Sequence, residues 1–369
     1  MRVVIAPDKF KGSLTAAEAA AAMAEGVLAV YPDAEVTEVP VADGGEGTLD
    51  AALTAGAKEH SARVTGPLGR EVTAVWAMSG DTALIETARA SGLALMDPTP
   101  EAALAATSFG SGQLILEALD AGAKTIILGI GGSAMTDGGS GALAALGLAI
   151  LDDAGAPVPA GGAGLLRAAS LDASGLDPRL AGADLRIAAD VSNPLLGPEG
   201  TVAVFSAQKG TDDSARLLLE EALGNWARLL REATGVDVDV RGAGAAGGFP
   251  AGFLGFTDAS LHPGFELLSA FTGLDVALTR CDLVLTGEGS LDEQSRYGKA
   301  PLEVAARARD AGIPVVAVAG RITLTPDQLE EYGIVAAASL LDAVQRPQDA
   351  MDQAAKYVAR ATRQVLEGA

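Results

Sequence analysis

Sulfur and imidazole are nearly missing from this 369-residue chain, which has one cysteine, Cys281, and two histidines, His60 and His262. One cysteine forms no internal disulfide, and these three side chains cannot build a His/Cys zinc cluster, so any metal must sit on oxygen ligands. Basic residues are also scarce, 26 Lys and Arg against 48 Asp and Glu, for a formal charge of −22. That balance excludes the clustered cationic surface that nucleic acid or acidic lipid requires. Long apolar runs are lacking: stretches such as 102–106 and 125–130 fall far short of the roughly 20 residues of a membrane helix. Met1-Arg2 leads directly into a strand-like run with no signal-peptide pattern, so a cytoplasmic location and no membrane partner are expected. A Walker A motif is missing as well. The Gly298-Lys299 pair is followed by Ala300 and has Glu293 where the first glycine should stand.

What is there is a globular composition, 49% hydrophobic and 20% charged, long enough for two to three units at about 150 residues each. The N-terminal segment predicts a strand over 2–6, a polar loop over 7–13 and a helix from Thr15 to about Val30. Its start, Thr15-Ala16-Ala17-Glu18, has capping-box spacing. A strand at 35–39 runs into Ala42-Asp43-Gly44-Gly45-Glu46-Gly47-Thr48 and a short helix. The C-terminal part repeats this alternation, with strands at 282–286, 314–319 and 334–338 and helices at 298–311, 326–332 and 347–366. Between the two, 71–78 and 82–86 flank Ser79-Gly80-Asp81 and predict a hairpin. Helices are predicted at 110–121 and 212–234, strands at 124–128 and 185–189, and loops at the Gly/Ala/Pro-rich segments 152–164 and 241–256. The order predicts an α/β fold with a doubly wound domain made from both termini, 1–65 and 281–369, and a second α/β domain inserted over 66–280. Sequential domains fit the same periodicity.

Four loops concentrate glycine and charge directly after strand-like runs: 6–13, 43–48, 129–139 and 286–290. In parallel α/β sheets these strand ends face the ligand crevice, glycine lets the backbone approach phosphate oxygens, and the following helix N-terminus offers unpaired N–H groups. Each loop also carries an Asp or Glu able to hold Mg²⁺, so the set predicts phosphate chemistry. The rival is a nicotinamide-dependent hydroxyacid dehydrogenase, since Gly129-Ile130-Gly131-Gly132-Ser133-Ala134 fits GxGxxA and 242–247 fits GxGxxG. With 46 glycines, composition alone supplies roughly 0.7 GxGxxG matches. A non-catalytic sugar-acid sensor is a third reading, and the sequence offers no DNA-binding or partner segment for it. His60 reads as part of a solvated charged run and His262 as a turn before Pro263, so a hydrolase triad has no histidine to use. Proton removal from a substrate hydroxyl then falls to a carboxylate. Asp190 is best placed, ending the apolar run 185–189 and opening Val191-Ser192-Asn193-Pro194-Leu195, although an Asp there is commonly just a turn former. Lys9, Lys11, Lys209, Arg296 and Lys299 lie in or beside glycine-bearing loops and are the cationic candidates for an anion site.

Taken in order, Pro7-Asp8-Lys9-Phe10-Lys11-Gly12-Ser13, 42–48, 129–139, Asp190 to Leu195, Gln208-Lys209-Gly210, 242–248 and Thr286-Gly287-Glu288-Gly289-Ser290 resemble the motifs of the bacterial type I glycerate kinase family across essentially the whole chain. The resemblance implies a Rossmann-like (flavodoxin-like) discontinuous domain with a second α/β domain inserted. It implies an ATP- and Mg²⁺-dependent phosphotransferase that converts glycerate to phosphoglycerate, the 2-phosphate favoured over the 3-phosphate, in glyoxylate- or sugar-acid metabolism. Its partners would be the small molecules glycerate and ATP, with no nucleic acid and no membrane, and with room for a homodimer. On this reading Asp190 deprotonates the attacking hydroxyl and Lys11 assists as the second catalytic group. Gly129, Gly131, Gly132, Ser133, Gly287, Gly289 and Ser290 bind ATP phosphates. Asp8, Lys9, Asp43, Asn193, Lys209, Arg296 and Lys299 bind substrate, and Asp137 and Glu288 hold the metal. Many family members have Ser at the position of Lys9, which favours Lys11 over Lys9 in the first loop.

Overall fold

Strand β1 (Arg2–Ile5), a helix (Ala16–Val30) and strand β2 (Glu35–Glu38) open the computed structural model in the order predicted, with the two strands parallel. The helix starts at its capping box: the Thr15 hydroxyl accepts the Glu18 N–H while the Glu18 carboxylate accepts the Thr15 N–H. A short helix (Thr48–Thr54) leads to β3 (Lys58–Thr65), β4 (Glu71–Ser79) and β5 (Thr82–Glu86), paired antiparallel in succession. Next come β6 (Thr125–Gly129), a small antiparallel pair β7 (Ala149–Leu151) and β8 (Ser170–Asp172), then β9 (Asp184–Ala188) and β10 (Ser260–His262). The C-terminal part supplies β11 (Leu283–Thr286), β12 (Ser290–Leu291), β13 (Val315–Ala319), β14 (Arg321–Ile322) and β15 (Ile334–Ser339). The structure describes residues 1–369 apart from Asp43, Glu46, Tyr297, Gln345 and Ala369, and at Ala343 and Pro347 the backbone alone. No helix among the described residues is long and apolar enough to cross a membrane.

The chain divides into two units. One comprises Met1–Asp43, Gly47–Ala57 and Phe265–Ala369 and holds the all-parallel sheet β15-β13-β11-β1-β2. Ranked along the chain, its strands follow the order 2-1-3-4-5 of flavodoxin-like sheets, whose crevice lies where the order reverses, here beyond the ends of β1 and β11. Val3, Ile5, Leu285 and Val318 pack with Met23, Val27 and Val358 on one face. Val4, Val284, Val315 and Ala317 pack with Leu302 and Ala305 on the other. Strands covered on both faces must be apolar at every position, which is why they read as continuous runs.

Arg2 and Asp282 fix the start of this sheet. The Arg2 backbone N–H and guanidinium both donate to the Asp282 carboxylate, joining the residue that opens β1 to the one that precedes β11. The guanidinium and that N–H hold the Asp282 carboxyl down to about 2. A carboxyl depressed in the fold stabilises above its unfolded pKa, roughly 3.9, and loses that effect as pH falls toward the folded value. Asp282→Asn should therefore lower the Tm at neutral pH and match the parent protein near pH 2, a comparison made by circular dichroism across that range.

The second unit, Gly44–Glu46 and Lys58–Gly264, is built on the sheet β10-β9-β6-β5-β4-β3. β10, β9, β6 and β5 are parallel, and β4 and β3 complete the predicted antiparallel component. Ile126, Leu128, Leu185 and Ile187 form its core with Leu114, Ile115 and Trp226.

Several expectations change here. Lys58–Thr65, taken in part for a solvated run, is a strand, and His60 stacks on Trp76 with ring centroids 4.4 Å apart. His262 ends β10, and its ring shares a 2.8 Å hydrogen bond with the Ser260 hydroxyl. Residues 241–256, read as a loop, contain the helix Ala245–Phe256, which is left-handed at Ala246, Gly247 and Gly248 near its start. The two units divide at 57/58 and 264/265, with Gly44–Glu46 going to the second. β3 pairs with β4 along its whole length, while Phe265, Leu274 and Leu278 join the core of the first unit.

Candidate functional site

In the second unit, strands β5, β6, β9 and β10 run parallel, so their C-terminal ends lie along one edge of the sheet. β5 ends in Glu86, which pairs in register with Gly129 at the end of β6. The Thr87 N–H donates to the Gly129 carbonyl at 2.8 Å, and Arg89 Nε donates to Glu86 Oε2 at 2.8 Å. The glycine turn after β6 lies directly against Gly44 and Gly45. A β-carbon at Gly131 would come 2.8 Å from Gly45 Cα, and one at Gly129 would come 3.0 Å from the Gly44 carbonyl oxygen. Only glycine permits backbones to approach so closely.

Asp190 stands just beyond β9, and its Oδ1 accepts the Gly264 N–H at 2.8 Å. A β-carbon at Gly44 would lie 2.8 Å from Ala188 Cβ and 3.8 Å from Asp190 Oδ2. This unit by itself therefore gathers Gly44-Gly45, the Gly129–Gly131 turn and Asp190. Asp43, expected among the substrate contacts, lies outside the described residues. Glu86 and Arg89 were not singled out from the sequence. The signal was present, because Glu86 ends a buried apolar run just as Asp190 does.

Beneath the glycine turn sit two buried ionisable groups. Asp137 is 0% exposed. Its Oδ2 accepts the Ser108 N–H, the Ser108 hydroxyl and the Gly141 N–H at 2.7, 2.9 and 3.3 Å, and its Oδ1 accepts the Gly139 N–H at 3.2 Å. Three of these four donors converge on Oδ2 and one on Oδ1. Asp137, expected to hold the metal, lies buried in the structure and pins the end of the turn to the starts of two helices, Phe109–Asp120 and Ser140–Ala145. Burial pushes its carboxyl up, against the pull of these hydrogen bonds. Lys209, expected to reach an anionic substrate, is likewise 2% exposed and donates to Ser133 Oγ at 3.1 Å and the Met135 carbonyl at 2.6 Å.

The segment after Asp190 is fixed by backbone donors. Leu195 and Leu196 N–H groups donate to Asp239 Oδ1, and the Gly197 N–H donates to Glu220 Oε1. Asn193 is drawn into the same scaffold: its Nδ2 donates to the Glu199 carbonyl, and its own carbonyl accepts from Gly242 and Gly244. The 242–247 match to GxGxxG therefore follows no strand and opens no phosphate-binding turn, as a dinucleotide fingerprint must. Its glycines instead admit close packing, since a β-carbon at Gly244 would lie 2.0 Å from the Pro194 carbonyl oxygen.

In the first unit the loops after β1 and β11 lie together at the switch point. The Asp8 N–H donates to the Gly287 carbonyl at 2.8 Å, and Lys9 N–H donates to Asp8 Oδ1 at 2.7 Å. A β-carbon at Gly289 would lie 3.2 Å from the Lys11 nitrogen, and the Lys11 side chain is exposed. Ser290 Oγ donates to Asp292 at 3.0 Å. Glu288 is buried, accepting the Ser295 hydroxyl on Oε1 at 2.7 Å and Lys299 Nζ on Oε2 at 3.3 Å. Burial pushes its carboxyl up against these two partners. Arg296 pairs with Glu331 at 3.0 Å and Glu293 at 3.6 Å. Lys299 and Arg296 thus enter the structure as ion-pair partners of this unit.

The group implied by the resemblance, Mg²⁺, can be tested against these donors. Each Glu288 oxygen accepts one hydrogen bond, so the carboxylate keeps acceptor capacity and fits a magnesium ligand. Among the described residues no three His, Cys, Asp or Glu side chains group as a metal cage. Magnesium in phosphoryl-transfer sites is held by one or two carboxylates together with substrate phosphates and water, so a protein cage is not what such a site needs.

The chain resembles known proteins along essentially its whole length. The family model described as "Glycerate kinase family" matches residues 3–368. The Escherichia coli K12 protein "Glycerate 2-kinase" is 44% identical, covering 99% of this chain and 97% of its own. The Bacillus subtilis 168 protein "Glycerate kinase" is 42% identical, covering 99% and 97%. A crystal structure of a Salmonella typhimurium LT2 protein, provisionally described as glycerate kinase 2, superposes with a TM-score of 0.89 at 41% identity, covering 100% of this chain and 98% of its own.

Proposed function

Since the chain belongs to the glycerate kinase family, we propose that it transfers the γ-phosphoryl group of ATP, with Mg²⁺, to the 2-hydroxyl of glycerate. The family supplies the reaction class, and the name of the E. coli relative supports the 2-position. The observation that carries the residue assignment is Asp190, held at the end of β9 by the Gly264 N–H beside the Gly44-Gly45 and Gly129–Gly131 backbones.

Phosphoryl transfer has a loose transition state, and the protein's task is positioning and charge neutralisation. Asp190 accepts the proton of the attacking hydroxyl, and its bond to Gly264 fixes the orientation of the carboxylate. Gly129, Gly131, Gly132 and Ser133 present backbone N–H groups and a hydroxyl to phosphate oxygens, an arrangement open to a backbone without side chains. In the first unit the Gly287, Gly289 and Ser290 turn and Lys11 are proposed for phosphate contact, with Asp8 and Lys9 in the adjoining loop for substrate. Asn193, expected to bind substrate, braces the segment that follows Asp190 through its bonds to Glu199, Gly242 and Gly244. Glu288 would hold Mg²⁺, which when bound spreads and neutralises the charge on the transferring phosphates.

A coupled assay tests this. ADP should appear only when ATP, Mg²⁺ and glycerate are all supplied, and omission of any one should abolish it. Turnover of NADH with tartronate semialdehyde, without ATP, would replace the proposal with the dehydrogenase reading.

A further inference from the structure

A lysine is among the residues least often fully buried, and a buried ammonium without partners is very unfavourable. Lys209 is nonetheless 2% exposed. The chain places it there with a single 3₁₀ turn, Ala207–Lys209, closed by Gly210 at φ +97°. Gly210 packs so tightly that a β-carbon would lie 2.3 Å from the Pro98 carbonyl carbon, and Ser206 and Thr211 beside it are buried and joined by a 2.9 Å hydroxyl bond. Burial draws the Lys209 ammonium down to about 7, with Asp137 opposing the shift. Both of its hydrogen bonds end on the glycine turn, at Ser133 Oγ and the Met135 carbonyl.

We propose that Lys209 is a positioning residue for ATP: it touches no substrate, but it holds the Gly129–Gly139 turn from beneath so that the turn presents its donors outward. This inference rests on the reading of that turn as a phosphate site. The hydrogen-bond directions carry it. Ser133 Oγ accepts from Lys209, so a lone pair faces the ammonium and the hydroxyl proton must point away from it. No acceptor for that proton is recorded among the described residues, so it is available to an incoming phosphate oxygen. The Met135 carbonyl, two residues on, is tied to the same nitrogen, so a single cation fixes two points of the turn. The Lys209 nitrogen has donors enough for both acceptors, so one side chain ties the two points together.

Lys209→Met, which keeps volume and removes both bonds, and Ser133→Ala should each raise the KM for ATP at least about tenfold while leaving the KM for glycerate within about threefold. The double variant should be no worse than the more impaired single one, because Ser133→Ala breaks part of the link that Lys209→Met removes whole. Unchanged KM for ATP in folded Lys209→Met, a rise confined to glycerate, or additive losses in the double variant would each overturn the inference. Should Lys209→Met fail to fold, Ser133→Ala with an ADP-binding titration carries the test, and unaltered ADP affinity there refutes it. If the parent protein shows no ATP-dependent turnover, the phosphate reading itself fails, which is a separate outcome.

Discussion

Asp190→Asn should lower kcat by about 10²- to 10⁴-fold, the range lost with a general base, while unfolding at the parent temperature. The amide is nearly isosteric, and its oxygen can still accept the Gly264 N–H that holds the carboxylate at 2.8 Å. What the amide cannot do is accept a proton from the substrate hydroxyl. Steady-state kinetics with both substrates saturating, paired with a thermal melt, separates the chemical loss from any structural one. Parent-like turnover would remove Asp190 from the base role.

Gly247→Ala is the change expected to damage the fold most. Gly247 has φ +75°, and a β-carbon there would lie 2.0 Å from the Met135 carbonyl oxygen and 2.8 Å from Thr136 Cα. Its own carbonyl accepts the Gly138 N–H at 3.0 Å, so the glycine turn and the start of the helix Ala245–Phe256 are locked backbone to backbone. A left-handed alanine costs about 1–2 kcal/mol and overpacking about 1–3 kcal/mol more, so a loss of about 2–5 kcal/mol should appear in urea unfolding. Because the displaced backbone is Met135 and Thr136, residual folded protein should also bind ATP poorly. A Gly247→Ala protein as stable as its parent would contradict the packing described at this point.

Much of this was legible in the sequence where the signal is local. Thr15 to Glu18 announced its capping box, and 71–86 announced a hairpin. The apolar run ending in Gly129 announced a parallel strand end, because a strand buried on both faces has no polar positions to spare, and the run before Asp190 announced another although Arg186 interrupts it. β3 was obscured because Lys58, Glu59, Ser61 and Arg63 make a period-2 strand look like a solvated stretch, while its inner face is filled by His60 on Trp76, Ala62 and Val64. The helix at Ala245–Phe256 was hidden by its own glycines, which are there to approach other backbones and not to break the chain. The inward direction of Lys209 and Asp137 could not be read at all. Their partners lie at Ser133, Met135 and Ser108, far away along the chain, and nothing in a local window marks a charged residue as buried.

The position of the transferred phosphorus on the product is the most direct test of the proposed reaction. With ATP, Mg²⁺ and glycerate, proton-coupled ³¹P NMR of the product should show a phosphate ester coupled to the single proton on C2. Coupling to the C3 methylene pair, or no phosphate ester at all, would contradict it.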